Sequence, residues 1–145
     1  MSTRSERLVN TANTPVNANA NASAANALNE MYEVAMEAFT AVNCVHTLVK
    51  EHTTSHEETR DAIVSLIQVL YAIEDAHEFK TRQLMGDKVE QAMAGHSAFM
   101  KDLRTLTKEA EDIATVFSQH QVLSPSLIRS ATNLGTDIVP TFYTN

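Results

Sequence analysis

The stretch VEQAMAGHSAFMKDLRTLTKEAEDIATVF, residues 89–117, decides the fold. Val89, Ala92, His96, Phe99, Leu103, Leu106, Ala110, Ile113 and Phe117 follow one another at alternating steps of three and four. An α-helix brings such positions back to one side, whereas a strand would need steps of two. The pattern is a coiled-coil-like seam, with His96 as its one polar member. It predicts a single helix from about Val89 to near His120. Gly86 suits the C-cap of the element before it, and Asp87 with Glu90 reads as a capping box opening this one.

Working backward, Ile63, Leu66, Ile67, Leu70 and Ile73 define a second helix ending near Met85. Ser55 and Glu58 are spaced as its capping box. Before the short break at His52-Thr53-Thr54, a further helix carries Leu28, Met31, Ala35, Phe39, Val42, Val45 and Val49 on one face. Ser23 is its expected cap and Glu51 its end. Glu30, Glu33 and Glu37 stripe the opposite face, where carboxylates near the N-terminal end favour the helix dipole. Working forward, Ser124-Pro125 opens a short fourth helix, with Leu127, Ile128, Ala131 and Leu134 facing inward and Gly135 as its stop. Pro140 and residues 141–145 are expected to add no further element.

These elements make the chain all-α. The expected architecture is an antiparallel three-helix bundle of long helices with a short fourth helix, over residues 22–145. Residues 1–21, rich in Asn, Ser, Thr and Ala and interrupted by Pro15, are expected to form a flexible tail that is either disordered or docks on a partner or export machinery.

Composition narrows the function classes. The 145 residues hold 18 acidic and 11 basic side chains, a net charge of −7. No basic stripe of the kind that grips a nucleic-acid backbone is present, which argues against a nucleic-acid partner. The longest apolar region, Ala62 to Ile73, is interrupted by Ser65 and Gln68 and is far shorter than a membrane span. Arg4 and Arg7 are followed by no apolar run, so the head does not read as a secretory signal. One cysteine, Cys44, cannot close an internal disulfide. The expected location is the cytoplasm, with export or incorporation into an assembly as later fates.

Catalytic signatures are missing. Three glycines, Gly86, Gly95 and Gly135, form no phosphate-cradling loop. Cys44 has no neighbouring cation to activate it and is expected to be a half-buried structural thiol. His46, His77 and His96 fall within the apolar arcs of their helices, while His52 and His56 are expected in water. Glu74 precedes His77 by three residues, the Glu-x-x-His spacing of carboxylate-bridged metal bundles. Turning the chain at Gly86 would bring His96 level with His77, so Glu74, His77 and His96 are the candidate metal ligands. A complete site needs further carboxylates or histidines that the spacing does not supply, so no cofactor or metal is expected. His77 and His96 then read as core or interface groups bonded to neighbours such as Glu74.

The apolar arc of the second helix, around Ala62–Ile73, is wider than one face of a bundle uses. Val64 and Tyr71 at its edge would stay wet unless the fourth helix or another subunit covers them. The expected function is therefore non-enzymatic: a structural, assembly or adaptor protein. It would self-associate or join a larger particle, filament or secretion apparatus. The alternative is a metal- or cofactor-binding bundle using Glu74, His77 and His96.

Overall fold

The computed structural model describes residues 15–52 and 56–143, and within them the chain is all-helical. α1 spans Pro15–Glu51, α2 His56–Met85, α3 Val89–Ala94, α4 His96–His120 and α5 Pro125–Asn133, followed by a 3₁₀ turn at Val139–Tyr143. The expected flexible tail lies outside the described residues as far as residue 14, and so do Ser55 and the side chain of Glu58, the expected capping box.

α1 begins earlier than its expected cap. Ser23 lies inside the helix, and Pro15 is its first residue. Proline is tolerated there because the first-turn N–H groups have no intrahelical partner anyway. The alanines that follow are the best helix formers, so they carry the helix through a stretch whose composition looked low in structure. Ala24 and Ala27 are buried, which fastens this early part to the core.

The seam at residues 89–117 is interrupted once. At Gly95 the backbone leaves helical geometry (φ −95°, ψ 2°), so the expected single helix is two, α3 and α4. The ladder continues across the break, Gly95 N–H donating to Gln91 O and Phe99 N–H to Gly95 O. The apolar side therefore stays in phase: Ala92, Phe99, Leu103, Leu106, Ala110, Ile113 and Phe117 are all buried. Nor does the Asp87–Glu90 box form. The residue before α3 is Lys88, and no side chain caps it. Gly86 ends α2 without a left-handed turn, its N–H closing onto Gln83 O at 3.3 Å.

α1 packs along both α2 and α4, with Met31, Val42, Val45 and Val49 buried between them. α2 and α4 scarcely approach each other directly. α5 and the terminal turn pack against both instead, wedging the space between them. α5 starts as expected: the Ser124 hydroxyl accepts from Leu127 N–H at 3.1 Å, with Pro125 in the first turn. Gly135 ends it with φ +85°. Here glycine is required twice over. An L-residue resists this φ, and a Cβ would lie 3.0 Å from Val139 Cγ2 and 3.1 Å from Val69 Cγ2.

The C-terminal stretch is also more than a tail. Within the turn at Val139–Tyr143, Phe142 is buried with its ring edge-on to Phe99, 5.5 Å between centroids. Thr141 donates to Asp102 at 2.6 Å, tying the turn to α4.

Candidate functional site

Two grooves flank the outer ridge of α1, and Met36 lines both. Toward α2 the groove has a volume of about 380 Å³ and is lined by Tyr32, Met36, Phe39, Ile73, Glu74 and His77. Helical spacing builds it. Tyr32, Met36 and Phe39 are three and four apart and so share one side of α1, as do Ile73, Glu74 and His77 on α2. Ile73 is buried and Phe39 half-buried, whereas Tyr32 (57% exposed) and Met36 (46%) stand at the rim. The His77 ring packs edge-on against Tyr32, centroids 6.0 Å apart, and burial pushes its pKa below the ordinary histidine value.

Toward α4 the groove is larger, about 610 Å³, with Glu37, Cys44, Thr107 and Glu111 among its lining. Cys44 is exposed rather than half-buried, because its position turns toward this opening instead of the core.

Glu74 and His77 thus share a groove, but His96 does not complete a ligand set with them. His96 is held by Glu30 of α1, Nε2 to Oε1 at 2.9 Å, and Arg104 donates to the other carboxylate oxygen at 3.0 Å. Bonding to His96 first, and to Arg104 second, holds the Glu30 carboxyl below its usual range. His96, largely buried on the seam, thus bonds to Glu30 rather than to Glu74. α1 runs alongside the start of α4 and presents a carboxylate from what looked like a purely solvent-facing stripe. Among the described residues no three His, Cys, Asp or Glu side chains converge as metal ligands.

His46 keeps the character expected of it. Its Nε2 is buried without a hydrogen-bond partner among the described residues, and burial first, then the Lys50 charge, pushes its pKa down. His52 is exposed, yet its ring lies tilted against Phe117, centroids 4.7 Å apart.

Lys80 went unnoticed in the sequence. Four residues beyond Ala76 on α2, it falls on the buried arc and is only 6% exposed. Its Nζ lies 5.7 Å over the Phe99 ring, and burial lowers its pKa. A Cβ at Gly95 would touch it, 3.4 Å from Nζ.

On the outer side of α2, Val64 (47% exposed) and Tyr71 (62%) remain uncovered. They are seven residues apart, two turns on the same side. α5 meets α2 elsewhere, where Ser65 donates to Thr132 O and Val69 crowds Gly135. The wedge that fills the core is therefore not a cover for this strip.

No family model, curated protein or solved structure matches the chain.

Proposed function

We propose that the chain is a non-enzymatic assembly or adaptor subunit: three long helical rods packed up-down-up, wedged by α5, that join other protein subunits through the outer side of α2. The observation that carries this reading is the exposure of Val64 and Tyr71 after every described helix has been placed. Large apolar side chains aligned on one helix side gain by association, each fully buried one contributing roughly 1.5–3 kcal/mol. Tyrosine in particular supplies contact area at low entropic cost, which is why interfaces are enriched in it. Self-association is the economical form of such an assembly, because an α2 side pairing with its own copy needs no other gene product.

Sedimentation of the full chain across a concentration series tests the proposal. The expected result is a mass above the monomer that falls to monomer in the Val64→Ser, Tyr71→Ser double variant, with helicity unchanged. A wild type that stays monomeric at high concentration removes self-association. A double variant as heavy as wild type moves the interface off this strip.

A further inference from the structure

We infer that the groove between α1 and α2 docks an amphipathic helix of a partner protein, with lysine or arginine flanking its apolar stripe. The inference rests on the adaptor reading and names the partner class.

Shape sets the first requirement. Both walls are helices, so the groove is a straight trough with a prebuilt floor of Ile73 and Phe39 and a rim of Tyr32 and Met36. Its volume of about 380 Å³ has room for a few apolar side chains rather than a broad globular surface. A helix presenting residues at i, i+3, i+4 and i+7 delivers such a row into a trough between two helices. Methionine and tyrosine suit the rim, because one adapts its shape and the other offers a rigid ring with a polar tip.

Charge sets the second. Glu74 lines the groove as its one carboxylate, and no lysine or arginine lines it. Among the described residues Glu74 enters no ion pair, whereas Glu78 one turn on is paired with Arg82 at 3.0 Å. The groove is thus apolar at its centre with an uncompensated carboxylate at its edge, within a chain of net charge −7. A cationic flank on the incoming helix meets this carboxylate favourably and speeds encounter. A second copy of the chain would instead set Glu74 against a surface of the same net charge, which disfavours it as the occupant. An anionic lipid surface or a nucleic acid is disfavoured on the same ground.

The test is fluorescence anisotropy of a labelled helical peptide with leucine at i, i+3, i+4 and i+7 and lysine elsewhere. It is titrated with the full chain at about pH 8, where histidine is neutral. Its twin carries glutamate in place of every lysine. Expected is saturable binding of the lysine peptide that weakens with salt, and at least about tenfold weaker binding of the glutamate twin. Met36→Lys is expected to abolish binding, and Glu74→Gln to weaken it and flatten its salt dependence. Equal binding of the two peptides overturns the inference, as does a Met36→Lys protein that binds as wild type. Should Met36→Lys lose helicity, the exposed Glu74→Gln variant decides, and unchanged binding by it overturns the inference. A wild-type oligomer that Met36→Lys alone turns to monomer would place a second copy in the groove and also overturn it. Charge-dependent peptide binding by a strictly monomeric wild type supports the groove while removing the self-association reading.

Discussion

Glu30 and His96, on α1 and α4, meet at 2.9 Å, and Arg104 one helical stretch further on completes a carboxylate held by two basic side chains. The contact pins the first turn of α4, immediately after the Gly95 break, to α1. Because the pair lies in part at the surface, its contribution is modest and weakened by salt. The sign with pH follows from Glu30. Its folded-state pKa is lowered, so the stability it contributes is present above the unfolded value of about 4.3 and lost as pH falls through the folded one. Glu30→Gln is therefore expected to melt below wild type at neutral pH and low salt, and the two melting curves should converge in acid. Equal melting temperatures at neutral pH would show that the triad contributes nothing.

Two half-buried histidines give the opposite end of the acid profile. Burial lowers the pKa of both His46 and His77, so the unfolded chain takes up protons that the folded one refuses. Their contribution is present above the unfolded pKa of about 6.5 and is lost as pH falls from there through their lowered folded values. Glu74 is exposed near His77, whereas His46 has a buried ring nitrogen without a hydrogen-bond partner among the described residues. His46 is thus the cleaner probe. His46→Leu should flatten the decline in melting temperature between neutral pH and about pH 5. Parallel curves for wild type and variant would mean that His46 protonates freely in the folded protein.

Leu103 lies fully buried on the seam of α4. Leu103→Ala should cost roughly 2–5 kcal/mol, because the helices around it cannot collapse fully into the space left behind. Urea unfolding followed by circular dichroism measures this directly. A loss well under 1 kcal/mol would mean that the seam faces away from the core.

Gly135 is the most sensitive backbone position. Gly135→Ala meets the left-handed conformation, which costs about 1–2 kcal/mol in itself, and also sets a methyl against Val69 and Val139. Gly135→Asn relieves the first cost and worsens the second. Chemical denaturation should therefore find both variants destabilised, whereas a fully tolerated asparagine would show that space is no constraint there.

The seam of residues 89–117 was legible because helix periodicity is local: which side chains share a face depends only on their spacing. The same holds for the arcs of α1 and α2, for the Ser124 cap and for the stop at Gly135. Local rules misjudged the elements whose outcome depends on neighbours. Gly95 breaks the third helix beside Lys80, Phe142 is drawn into the core against Phe99, and the alanines past Pro15 hold a helix whose composition suggested none.

The sequence by itself determined that this protein is helical, where each long helix turns its apolar side, and that Val64 and Tyr71 lie at the edge of α2's arc. Only the tertiary structure decided which charges meet and which apolar side chains stay wet. Glu30 read as one member of a solvated stripe until α4 brought His96 and Arg104 to it. Tyr32 and Met36 became the rim of a groove only when α2 lay beside α1 with Ile73 and His77 opposite them. Periodicity fixes the direction of a side chain about its own helix axis. It carries no information on the rotation and height at which a second helix docks, and those two quantities set every contact between helices.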